Sequence, residues 1–186
     1  MTSNRLAHLS QRTAAVTLLL IVVMLALNAA LWVFPIIASK NGWGLGFALS
    51  ERQLSDIADR AALFPWWQTL GAIALSSVPL LALALGLGHL RQLFQSYARG
   101  EYFSSEAARH FGKVGRAVAI WVLLDFLCEP LLSVWVTMLE PVGQRMMSVS
   151  ITAPSFVALF LAACISIIAR ILLQASEVDS ENRTFV

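Results

Sequence analysis

Apolar residues in this chain come in four long blocks, not in alternating pairs or a narrow helical stripe. The blocks run from Thr13 to about Ala38, Trp66 to about Leu90, Val114 to Met138 and Thr152 to about Gln174. Each has the roughly 20 residues needed to cross about 30 Å of hydrocarbon as a helix. The first block is too long for the apolar core of a secretory signal, and it ends in Trp32, Phe34 and Pro35 rather than in a cleavage pattern. It reads as a retained membrane helix. In the second block Ser76, Ser77 and Pro79 predict a kink. Proline removes one backbone bond there, and a neighbouring hydroxyl can re-satisfy the freed carbonyl. Gly86 and Gly88 permit close helix approach, and Ala158, Ala162 and Ser166 form a small-residue stripe on the fourth block. The pattern predicts an all-α integral membrane protein, a four-transmembrane-helix bundle forming one domain over residues 1–186.

The polar segments between the blocks predict the rest. In the loop Ser39–Pro65, Ser50 and Gln53 have capping-box spacing. Leu54, Ile57, Ala58 and Ala61 then share one face, with Arg52, Asp56 and Arg60 on the other. This is the pattern of a short amphipathic helix in the first outer loop, either a lid over the bundle or a surface for an external partner. The loop 91–113 between the second and third blocks is basic and carries Tyr97, Tyr102 and Phe103. Ser104 is placed to cap the following helix, with Glu106 in its first turn. The tail 175–186 is polar and acidic.

Composition agrees with the pattern: 58% of the residues are hydrophobic and 13% charged, against about a quarter charged in soluble domains. Charge placement then gives an orientation. Arg5, Arg12, Arg91, Arg99, Arg109, Lys113, Arg116, Arg170 and Arg183 fall on one side of a four-span chain, and Lys40, Arg52, Arg60 and Arg145 on the other. Since cytoplasmic loops carry the excess of Lys and Arg, both termini and the basic hairpin are expected in the cytoplasm. Trp32, Trp66, Trp67 and Trp135 then gather near the outer interface, as an aromatic belt should. Cys128 and Cys164 both lie in apolar blocks and read as buried thiols rather than a disulfide framework.

Asp125 and Glu129 are the candidate chemistry inside the membrane. They stand at i and i+4 of the third block, with Asp125 about 14 Å past Arg116, near the midplane. A carboxylate there costs about 2.5–3.5 kcal/mol even on the lenient insertion scale, so both must face the bundle interior. Asn28, Ser76, Ser77 and Arg170 are the candidate partners. Hydrogen-bonded glue between helices and a site for a proton or cation are both open. Asp125, Cys128 and Glu129 could in principle ligate a metal, but no histidine lies at that depth, and no metal or cofactor is expected. No phosphate-binding glycine loop, His-Glu-x-x-His, Cys-x-x-Cys or nucleophile elbow occurs, so nothing supports an enzyme.

At the cytoplasmic side Arg99, Arg109, Lys113 and Arg116 form a basic surface, and Glu177 and Glu181 an acidic tail. The tail is expected to fold back so that Glu177 and Glu181 meet Arg109 or Lys113 in contacts worth about 0–1 kcal/mol each. Anionic lipid headgroups and a cytoplasmic protein both suit the basic surface. Direct nucleic-acid binding is not expected from so short a loop with Glu101 and Glu106 in it.

The segment Arg99-Gly100-Glu101-Tyr102-Phe103-Ser104, followed by Phe111 and Gly115, resembles the "Gly-x-x-Phe-Thr/Ser … Leu … Gly" signature of the membrane-protein family called domain of unknown function 2975. Phe111 stands where that pattern has leucine. The chain's end, Ser180 to Val186, is similar to the family's Glu-Asn-rich terminus. The resemblance implies a bacterial inner-membrane protein, often encoded beside a small helix-turn-helix regulator, and it implies no catalytic residues. The function expected is that of a regulatory or accessory membrane component binding a partner through its cytoplasmic loop and tail. The alternative is a small transporter or channel subunit using Asp125 and Glu129, which with four helices per protomer needs a homo-oligomer.

Overall fold

A computed structural model describes residues 2–35, 61, 63–99, 104–141, 143, 145, 147–149 and 153–184, with the side chains of residues 2–10 and 179–184 excepted. Among the described residues the fold has four long helices: α1 (Thr2–Val33), α2 (Trp66–Ala98), α3 (Ser105–Thr137) and α4 (Ala153–Thr184). All four are long and apolar enough to cross a membrane, so the expected all-α, four-span architecture is observed. The outer-loop amphipathic helix, apart from Ala61, and the turn residues 100–103 lie outside the described residues.

Local chemistry fixes where the helices begin and end. α1 stops at Val33, two residues before Pro35, because proline disfavours helical backbone in the residue it follows. The last α-type bond runs from the Phe34 amide to the Ala30 carbonyl at 2.8 Å. α2 starts on the Pro65 carbonyl, which accepts from the amides of Gln68 and Thr69. At the head of α3 the Ser104 hydroxyl accepts from the Ala107 amide at 3.1 Å, the N-cap bond that satisfies one of the helix's open donors. Glu106 sits in that first turn.

The helices reach beyond the apolar blocks. At 33 residues, α2 and α3 are each about 50 Å long, against about 30 Å of hydrocarbon. The basic segment 91–113 is therefore mostly helix, carried by the end of α2 and the start of α3. The acidic tail likewise continues α4 as far as Thr184.

The chain divides into two compact units. The first combines residues 1–21, 82–120 and 153–186. Small residues dominate its interior: Ala14, Ala82, Ala107, Ala108, Ala117, Ala162 and Ala169 are buried. Backbones approach closely there. A methyl group on Gly86 would lie 2.8 Å from the Ala117 Cβ. One on Gly115 would lie 2.8 Å from the Ser166 Oγ and 2.9 Å from the Ala162 carbonyl oxygen. Gly112 faces Ala169 in the same way. Residue 112 thus pairs with 169 and 115 with the 162–166 turn, an antiparallel register between α3 and α4. Ala162 and Ser166 of the expected small-residue stripe form this contact. Gly88 does not share the role of Gly86, since nothing lies within 4 Å of where its side chain would be.

The second unit combines residues 22–81 and 121–152. Its core holds Trp32, Ala72, Cys128, Leu132 and Val136, with Leu31, Phe64, Ile73, Leu75 and Trp135 packed against them. Trp67 and Trp135 meet edge to face with ring centroids 6.0 Å apart, a favoured geometry for aromatic pairs.

Candidate functional site

Polar side chains collect in the interior of the second unit, where an unsatisfied group costs most. Asn28 from α1 is 1% exposed. Its Nδ2 donates to the Ser76 Oγ at 3.1 Å and the Ser77 Oγ at 3.0 Å. The Trp32 Nε1, one turn further along α1, donates to the same Ser76 oxygen at 3.1 Å. Ser76 in turn donates to the Ile73 carbonyl at 3.2 Å. Its hydroxyl is therefore spent on three partners. It serves Ile73 and the α1–α2 contact, whereas the carbonyl that Pro79 frees is that of Leu75, four residues before the proline.

Asp125 and Glu129 are 8% and 3% exposed, so both face inward as the cost of a lipid-facing carboxyl requires. Neither is without a partner. The Ser148 hydroxyl, from the segment after α3, donates to the Glu129 Oε1 at 3.4 Å. The Ser148 amide donates to the Ser133 Oγ at 3.0 Å. Because Glu129 and Ser133 stand at i and i+4, a single residue of the connecting segment latches onto one face of α3. Cys128 is buried beside them, whereas Cys164, also expected to be buried, is half-buried; both are free thiols.

Sequence reasoning missed Gln68, whose side chain is among the most completely buried in the protein. Its Nε2 donates to the Trp135 carbonyl at 3.2 Å and the Val136 carbonyl at 2.9 Å. The Trp135 Nε1 donates back to the Gln68 carbonyl at 3.0 Å. Trp135 and Val136 belong to the last turn of α3, whose carbonyls have no partner within the helix. The first turn of α2 thus caps the end of α3. A glutamine just inside an apolar block was the available signal. Gly71, one turn on, makes room for the indole, since a side chain there would run into Trp135.

The remaining candidates lie in the first unit. Arg99 follows the end of α2, exposed, with its Nη2 donating to the Ser96 Oγ at 3.3 Å. Arg109, Lys113 and Arg116 are exposed on the first turns of α3, and Glu177 on the last turns of α4. The side chain of Glu181 lies outside the described residues. The antiparallel register brings Glu177 near the level of Ser104, at the head of α3, and Glu177 is not without a partner. His89 and His110 stack at a tilt, 5.5 Å between ring centroids, and His110 Nε2 lies 3.7 Å from a Glu106 carboxyl oxygen. Arg170, considered above as a partner for Asp125, belongs to this unit. It is exposed there and lines a groove between α3 and α4 together with Arg109 and Arg116. Among the described residues, no group of three or more His, Cys, Asp or Glu side chains is placed to hold a metal ion.

Four apolar helices with inward-facing carboxyls and charged helix ends define a multi-pass all-α membrane protein. Residues 47–186 match the family described as "Protein of unknown function (DUF2975)", and the chain belongs to that family. The match takes in α2, α3 and α4 and contains the turn signature together with Gly115. No curated protein and no solved structure matches the chain. Gly115 now has a physical reason: the α3–α4 contact leaves no space for a side chain there.

Proposed function

We propose that this is a regulatory or accessory protein of a bacterial inner membrane, with both termini and the α2–α3 turn in the cytoplasm, where they bind a protein partner. The observation that carries it is the overshoot of the helices. α2, α3 and α4 continue well past what a bilayer requires, and the extensions of α3 and α4 bear exposed Arg109, Lys113, Arg116 and Glu177. Helix that is not needed for crossing, folded and studded with charge, is a rigid surface for recognition. Site-specific photo-crosslinking in intact membranes tests it. Probes at Lys113 and at Glu177 are expected to give the same discrete protein adduct, and a probe at Leu161 on the apolar face none. Lipid adducts alone from both charged positions overturn the proposal.

Burial of Asp125 and Glu129 favours a second role, an ion-coupled or channel function of an oligomer. Asp125→Asn with Glu129→Gln separates the two. A regulator keeps its partner adduct and its phenotype when folded, whereas an ion-dependent device loses its phenotype and keeps the adduct.

A further inference from the structure

The groove between α3 and α4 in the first unit has a volume of about 370 Å³, within the roughly 300–1,000 Å³ of ligand sites. Its floor is set by the glycine contacts. Gly112 against Ala169 and Gly115 against Ser166 bring the two backbones together and leave no long side chain at the bottom. Its walls carry Arg109 and Arg116, two turns apart on α3, and Arg170 across from them on α4. Among the described residues, no acidic side chain lines it. None of the three arginines makes an ion pair or hydrogen bond among the described residues. Three guanidinium groups around one groove repel one another unless an anion is shared between them, and their planar donor forks match phosphate oxygens.

The surroundings specify what carries the anion. Arg170 is the first charged residue of α4, and no charge follows Arg116 on α3 until Asp125. The arginines therefore mark the edge of the apolar spans, at headgroup level. On the membrane side of the groove, Ile120, one turn beyond Arg116, and Leu159, two turns beyond Ser166, are 51% and 43% exposed. A ligand seated here has an anionic head among arginines and an apolar body along these side chains. From this arrangement we infer that the α3–α4 groove is a binding site for the phosphodiester headgroup of an anionic phospholipid, held by Arg109, Arg116 and Arg170 with its acyl chains against Ile120 and Leu159. Basic pockets between membrane helices bind such headgroups. The inference rests on the membrane assignment and is independent of any protein partner.

Delipidated protein in a neutral detergent provides the test, with thermal unfolding and native mass spectrometry as readouts. Phosphatidylglycerol is expected to raise Tm and to remain bound in the mass spectrum, whereas phosphatidylcholine, inorganic phosphate and glycerol phosphate do neither. Arg109→Gln with Arg170→Gln removes two of the three shared contacts and should weaken phosphatidylglycerol retention on the order of tenfold or more. Helical content and lipid-free Tm should stay at wild-type values, because all the changed groups are exposed. Arg170→Gln alone should give a smaller loss. Arg99→Gln, outside the groove, removes one charge and should leave retention intact. Equal effects of phosphatidylcholine, or equal losses in Arg99→Gln and Arg170→Gln, would reduce the binding to bulk electrostatics and overturn the site. A response to inorganic phosphate as large as that to the lipid would assign the groove to a free anion instead.

Discussion

A buried glutamine at the start of α2 ties the first turn of that helix to the last turn of α3. Gln68 satisfies two carbonyls at the end of α3, and Trp135 returns a bond to the backbone of Gln68. The site is buried, so removing the amide takes a donor from both carbonyls. Gln68→Leu is expected to destabilise the protein by about 1–3 kcal/mol, measured by unfolding of the detergent-solubilised protein. Unchanged stability would mean that water or a shifted side chain replaces the amide. The residue scale is also where sequence reading falls shortest. The inward facing of Asp125 and Glu129 followed from cost alone. Ser148 as a ligand of Glu129, or the Leu75 carbonyl passed over by Ser76, depends on distances between segments that no spacing encodes.

At the scale of elements, caps and glycines carry the specificity. Ser104 caps α3 through the Ala107 amide, and its replacement by alanine should cost about 1 kcal/mol, with faster amide exchange confined to the first turn of α3. Gly115 is held against the Ala162 backbone and Ser166. Gly115→Leu forces the helices apart, and overpacking of this kind costs about 1–3 kcal/mol or more. A mutant equal to wild type in thermal stability would contradict the contact. The register itself is testable. In a background lacking Cys128 and Cys164, cysteines at Ser105 and Glu177 should cross-link readily, whereas cysteines at Lys113 and Glu177 should not. The reverse result would mean that α4 slides by two turns against α3. The acidic tail continues α4, because Ser176 to Thr184 contains no proline or glycine to end it.

For the whole molecule, the proposed orientation, with the termini in the cytoplasm, rests on Lys and Arg placement and on the tryptophan positions. Reporter fusions after Arg99 and after Val186 should therefore report cytoplasm, and one near Gln53 the opposite compartment. A cytoplasmic signal at Gln53 would overturn the orientation. The sequence by itself determined that there are four membrane-spanning helices, roughly where each lies, and that the carboxyls turn inward. Hydrocarbon imposes those answers through length and desolvation cost, which are properties of a segment and not of its neighbours. Tertiary structure decided which small residues meet, that Gln68 closes the end of α3, that Ser148 reaches Glu129, and that Arg170 joins Arg109 and Arg116 around one groove. In a membrane every helix surface is apolar, so hydrophobic pattern cannot choose the packing faces. Close steric fit and a few buried hydrogen bonds choose them, and both exist only once the helices are side by side.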